Sequence, residues 1–210
     1  MKIALKILIW LGILSSLFYA PMFSHDNFTF LNPYVSIILA NYSIFYLIMT
    51  LFYLRYNYKQ SKKVFKHQRK IIKGYWYYSI GLLAIVSIIT YFVGKNTDIN
   101  NFKNSSEVSQ FENTTHPIIR YYTSILTMFD SDIVITDSKR VIEDYDSMKL
   151  ARLTTSMHLV QTDGYSHALD LRTRDKSRIE IYLITAYYEM LGFYTLEHVG
   201  TGIHLHVHIK

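Results

Sequence analysis

Residues 192–209 read GFYTLEHVGTGIHLHVHI. Two runs of alternating polarity, Tyr194–Val199 and Ile203–Ile209, flank Gly200-Thr201-Gly202. Period-two alternation on either side of a glycine-rich turn reads as a β-hairpin, and therefore as part of an antiparallel sheet. Within the second run His204, His206 and His208 recur every second residue, so they share one face of their strand.

Working upstream, Ser177 with Glu180 three residues later forms a capping box. It opens a helix that carries Ile179, Tyr182, Leu183, Ala186, Tyr187 and Met190 on one side, and Gly192 closes it. Ala168 to Arg172 reads as a strand, Lys139 to Leu153 as a helix and Asp132 to Thr136 as a short buried strand. Pro117 opens a further helix, with Ile118, Ile119, Tyr122, Ile125, Leu126 and Phe129 at helical spacing. Residues 118–210 are thus expected to form a small α+β domain with an antiparallel sheet.

Six of the nine histidines fall between 158 and 208: His158, His167, His198, His204, His206 and His208. The chain has no cysteine, so a metal site here must use His, Asp or Glu. Histidine is the commonest metal ligand, and strand spacing can aim several at one ion. A histidine run is equally the exposed polar face of a half-buried strand.

The segment before the hairpin contains Ser156-Met157-His158, Gly164 and Ala168-Leu169-Asp170, followed by Gly192-Phe193 and His204-Leu205-His206. This ordered set resembles the zinc D-Ala-D-Ala carboxypeptidase superfamily, which includes peptidoglycan endopeptidases and the hedgehog signalling domain. The likeness extends back to Ile135-Thr-Asp-Ser-Lys-Arg140, similar to the family's strand and the arginine after it. It covers residues 132–210. The resemblance implies a hedgehog/DD-peptidase-like fold and a zinc ion held by His158, Asp170 and His206. Three protein ligands with a fourth position open to water is the catalytic zinc arrangement. It implies Glu197 as general acid–base and Arg140 as the grip on a substrate carboxylate or carbonyl. The substrate it implies is a peptide link of peptidoglycan, cut by a carboxypeptidase or endopeptidase, with a non-catalytic metal-binding or interaction domain as the alternative.

Two points stay open. The family places six residues between its first His and the Asp, whereas eleven separate His158 from Asp170. Either a loop insertion follows His158, which is preferred, or Asp163 stands at the ligand position, with His167 ranked third. Glu197 shares a face with His206 only if the hairpin turn has two central residues, Gly200 and Thr201; a turn one residue longer reverses it.

The other half of the chain differs in composition. Residues 1–94 hold ten Lys/Arg and one acid, net +9, and residues 95–210 are net −3. The overall +6 therefore arises from one segment, not from a nucleic-acid-binding domain. Stretches 7–25, 27–54 and 74–94 lack Asp, Glu, Lys and Arg over 19, 28 and 21 residues. About 20 apolar residues cross a bilayer, so three transmembrane helices are expected. Loop 55–73, with eight Lys/Arg and no acid, then lies in the cytoplasm with the N-terminus. A signal-peptide cut after Ala20 is disfavoured by Phe18 and Pro21. The expected organisation is a bilayer-embedded region over 1–94, a flexible Asn/Ser/Thr-rich linker over 95–117, and a periplasmic or extracellular domain over 118–210.

Overall fold

The structure is a computed structural model and describes residues 20–26, 32–60, 81, 83–90, 92–93, 97–148, 154–199 and 202–209. The chain divides into two compact units, Met1–Tyr91 and Phe92–Lys210.

The first unit is helical, with α1 over 20–26, α2 over Pro33–Gln60 and α3 over 83–90. Met22, Ile37, Ala40, Ile44 and Val86 are buried. Polar pairs are buried beside them: Ser36 Oγ donates to Ser24 Oγ at 2.7 Å, and Asn41 Nδ2 donates to Thr90 Oγ1 at 3.3 Å.

The expectation of a three-helix transmembrane anchor is corrected here. Among the described residues no helix is both long and apolar enough to cross a membrane. Helix α2 is 28 residues long and interleaves Tyr, Asn, Ser and Thr with its aliphatic residues. A stretch free of charge is not thereby apolar, because each uncharged polar group still resists transfer into hydrocarbon. The multi-pass topology, the cytoplasmic N-terminus and the outer placement of the C-terminal domain all rested on those crossings and lose their basis with them. Most of the first charge-free stretch and residues 61–73 of the basic loop lie outside the described residues, as does part of the third stretch.

In the second unit, residues 95–117 were expected to be a linker. The structure has a 3₁₀ turn at Ile99–Asn101 and helix α4 over Ser105–Thr114, capped by Asn104, whose side chain accepts from the Glu107 N–H. Phe102 and Phe111 are buried against each other, with ring centroids 5.4 Å apart. Each fully buried aromatic contributes about 1.5–3 kcal/mol to holding the segment, and Asn101 Nδ2 adds hydrogen bonds to the Ser131 and Ile133 carbonyls, each at 2.9 Å.

Helix α5 spans Pro117–Phe129 and α7 spans Arg178–Met190, opened by the Ser177/Glu180 capping box. The two are joined where the hydroxyls of Thr123 and Tyr188 lie 2.9 Å apart and the Tyr187 hydroxyl donates to the Tyr122 carbonyl at 2.9 Å. Phe193 packs edge-on against both Tyr122 and Tyr188. It follows Gly192, whose φ of 93° lets the chain reverse out of α7.

Four antiparallel strands form one sheet in the order β1-β2-β4-β3: β1 Ile135–Asp137, β2 Ala168–Arg172, β3 Tyr194–His198 and β4 His204–His208. Helix α6, Ile142–Ser147, follows β1 and is shorter than the helix expected over 139–153; residues 149–153 lie outside the described residues. Leu169, Leu171, Leu205 and Val207 are buried on one face of the sheet. The residues between them, Asp170, His204, His206 and His208, therefore occupy the other face.

Candidate metal centre

Register brings the site together. In the β2–β4 ladder Asp170 stands opposite His206 and Arg172 opposite His204. Side chains of paired residues project to the same face, so Asp170 and His206 meet across one rung. His158 arrives from a loop pinned at several points. The Arg140 N–H donates to the His158 carbonyl at 3.0 Å, and the His158 N–H donates to Ser156 Oγ at 3.3 Å. Val160 bridges Ser166, whose hydroxyl donates to the Ser138 carbonyl at 2.6 Å. The eleven residues between His158 and Asp170 are thus accommodated by an excursion that folds out after Val160 and returns at Ser166.

His158 Nε2 lies 3.1 Å from Asp170 Oδ1 and 3.1 Å from His206 Nδ1, and His206 Nδ1 lies 2.8 Å from Asp170 Oδ1. His158 and Asp170 are buried and His206 is half-buried. No placement of protons satisfies all three edges of this triangle. If both ring nitrogens donate to the carboxylate, their hydrogens face each other across the third edge; if one does not donate, two lone pairs face each other. A cation at the centre resolves the conflict. Ligand atoms about 2.0–2.1 Å from a tetrahedral zinc lie about 3.3 Å from one another, close to the spacings seen. The donor set of two neutral imidazoles and one carboxylate suits zinc or a neighbouring divalent transition metal.

Burial pushes the Asp170 carboxyl up, but hydrogen bonds from His158 and His206 and the nearby histidine charges outweigh it, so the group is held well below the usual carboxylate range. The ionised carboxylate that these neighbours favour is the form a metal ligand takes. Its second oxygen accepts from Arg140 Nη2 at 2.8 Å and lies 3.5 Å from His204 Nε2. Arg140 also donates through Nε to Asp137, and its guanidinium lies 5.9 Å from the centre of the Tyr145 ring. Nε and Nη2 of Arg140 are thus each engaged with a carboxylate at the edge of the site.

Glu197 does not join the cluster. The hairpin pairs His198 with His204 and Glu197 with Leu205, one residue away from the register a two-residue turn would give. A one-residue slip sends every side chain to the opposite face. Glu197 accordingly accepts from Arg178 Nη1 at 2.7 Å, on the side of the sheet where Thr195 reaches Glu189 of α7. The site face receives His198 instead, stacked on His204 with centroids 4.5 Å apart. Gly200 and Thr201 lie outside the described residues.

The sequence motif assigns no role to His204. Its Nδ1 lies 2.6 Å from the Gly202 carbonyl. Only a protonated Nδ1 can donate to a carbonyl, so that nitrogen carries a proton, while Nε2 lies 3.5 Å from Asp170 Oδ2 beside the triangle. The alternation of His204 with His206 was the available signal, but it does not say which histidine binds a metal and which stands beside it. Asp163 and His167, the other ligand candidates, lie away from this triangle and gather with His116.

No protein-family model matches this chain, and no curated protein or solved structure matches it.

Proposed function

We propose that the Phe92–Lys210 unit is a zinc-dependent peptidase acting on peptide links of the peptidoglycan type. The observation that carries this reading is the meeting of His158 Nε2, Asp170 Oδ1 and His206 Nδ1 from three separate parts of the chain. The motif order of Ser156 to His206 supplies the substrate class. Zinc, when bound, polarises a carbonyl as a Lewis acid and brings the pKa of a coordinated water to near 7.

The remaining duties fall to the chain's own residues. Arg140 holds Asp170 Oδ2 and leaves Oδ1 to the ion, so it is a positioning residue in this reading rather than a grip on substrate. His204 takes the general acid–base duty that Glu197 cannot reach. Its tautomer is set by the Gly202 carbonyl, and its Nε2 can accept a proton and return it to a leaving amine. A second reading, a metal-binding module without turnover, draws on the engagement of Arg140 by two carboxylates and on the absence of Glu197 from the site face.

The test is incubation of the purified full chain with muropeptides, with and without a chelator, reading newly exposed amino groups. Cleavage is expected that the chelator abolishes, that Asp170→Ala abolishes together with one equivalent of metal, and that His204→Ala lowers about 10²–10⁴-fold with metal retained. Bound zinc without any cleavage would leave the module reading standing and remove the peptidase. No zinc at this triangle would remove both.

A further inference from the structure

A second cluster of metal-ligating type lies in the same unit and shares no residue with the first. His116, Asp163 and His167 each offer one ligand atom, and these lie within 4.8 Å of one another. His167 Nε2 is 2.8 Å from Asp163 Oδ2, and His116 Nε2 is 3.8 Å from the same oxygen. The two imidazoles meet edge to face, with centroids 5.0 Å apart.

Backbone contacts, not the cluster itself, set this geometry. His116 is fully buried as the N-cap of α5, and its N–H donates to the Ser166 carbonyl at 2.9 Å. Thr115 bridges Ser166, and the His167 N–H donates to the Met157 carbonyl at 2.8 Å. Asp163 sits in a turn whose next residue, Gly164, has φ 87° and donates to the Gln161 carbonyl at 3.0 Å. Asp163 Oδ1 accepts from the Tyr165 N–H at 3.0 Å, which leaves Oδ2 facing the two rings.

We propose that His116, Asp163 and His167 bind a divalent transition-metal ion that clips the start of α5 to the loop following His158. Two imidazole nitrogens and one carboxylate oxygen are a donor set for zinc and its neighbours. The separations of 2.8 and 3.8 Å bracket the roughly 3.3 Å expected between ligands of one ion. Residues 116 and 163 are far apart in sequence, so an ion joining them removes much freedom from the unfolded chain.

One contact opposes the ion. His116 Nδ1 accepts from the Ile118 N–H, which places the proton of the neutral ring on Nε2, the atom the metal needs. At 3.3 Å that cap is long for its type. Metal binding exchanges it for a nitrogen–metal bond and moves the ring proton from Nε2 to Nδ1. The exchange leaves a mark specific to this site.

The experiment strips the full chain of metal, reloads it with zinc and counts the ion by elemental analysis. Two equivalents are expected in the wild type, one in His167→Ala, one in Asp170→Ala and none in the double variant. Zinc should still raise the thermal midpoint of Asp170→Ala by several degrees and should move the ¹⁵N signals of His116 from the Nε2-protonated to the Nδ1-protonated pattern. Should His167→Ala fold poorly, Asp163→Asn, in an exposed turn, serves in its place. A single equivalent untouched by His167→Ala and Asp163→Asn, or a His116 ring unchanged by zinc, overturns the clip and leaves the first centre intact. Two sites reduced to one by His167→Ala but unaffected by Asp170→Ala would sink the first centre and leave the clip.

Discussion

Asp170 is the residue on which the candidate centre turns, because His158, His206, His204 and Arg140 all approach one buried carboxylate. The duty assigned to Arg140 separates two outcomes. If it positions Asp170, Arg140→Lys should weaken metal affinity about 10–100-fold, measured by competition with a chromophoric chelator. If it grips substrate instead, metal affinity stays unchanged and KM rises. Glu107, on α4, is a second residue whose environment decides its chemistry. Burial, then the neighbouring Asp137 charge, raises its pKa from 4.5 to about 7, and one of its oxygens is buried with no hydrogen-bond partner among the described residues. Below pH 4.5 the group is protonated in both folded and unfolded chains. Between 4.5 and 7 only the unfolded chain releases the proton, so stability falls as pH rises and stays lowered above 7. Glu107→Gln should therefore gain about 1–2 kcal/mol at pH 8 relative to pH 4, a figure reduced for the half-exposure of the side chain. Urea unfolding at the two pH values checks this; equal effects at both would refute it.

Elements carry the next set of consequences. The β3–β4 hairpin decides which residues face the candidate centre, and its register removes Glu197 from the site face while admitting His198. Glu197→Gln is accordingly expected to change peptide turnover by less than about 2-fold, against the large loss for an acid–base residue. A loss of 100-fold would show that the assigned register, or the assignment of His204, is wrong. Helix α4 is the element that composition concealed. Phe111→Ala should cost about 3–5 kcal/mol by opening a cavity in a packed site, measured as a shift in the denaturant midpoint. A tether would tolerate the same change within about 0.5 kcal/mol, as exposed positions do. The cap of α7 was visible in advance, since Ser177 and Glu180 satisfy each other's backbone donors and need nothing from elsewhere in the fold.

At the scale of the whole molecule, the division into Met1–Tyr91 and Phe92–Lys210 places every residue of both histidine clusters in the second unit. That unit has its own core, with Phe111, Ile118, Tyr122, Leu169, Tyr188 and Leu205 fully buried. A chain of residues 92–210 expressed alone should fold cooperatively and bind as much zinc as the full chain does. Circular dichroism and elemental analysis would show this, and an unfolded or metal-free fragment would refute the independence of the unit. The first unit illustrates the limit of counting charges. Stretches without Asp, Glu, Lys or Arg look alike whether their uncharged residues are aliphatic or are Tyr, Asn, Ser and Thr. The second kind can instead pair its polar groups inside a helical unit, as Asn41 does with Thr90.

Local chemistry was legible along the chain because its causes are local. The capping box at Ser177, the reversal at Gly192 and the alternation of His204 to His208 each depend on residues a few positions apart, and the absence of any thiolate ligand on composition alone. The register that turns Glu197 away depends on a turn length that spacing leaves open, and the meeting of Phe102 with Phe111 on a helix that composition conceals. The sheet order depends on partners tens of residues distant. So does the sorting of His158, Asp163 and His167 into two separate clusters. Spacing along a chain sets which face a side chain occupies within its own element, whereas the choice among several histidines is made by long-range backbone pairing, and only the folded unit supplies that.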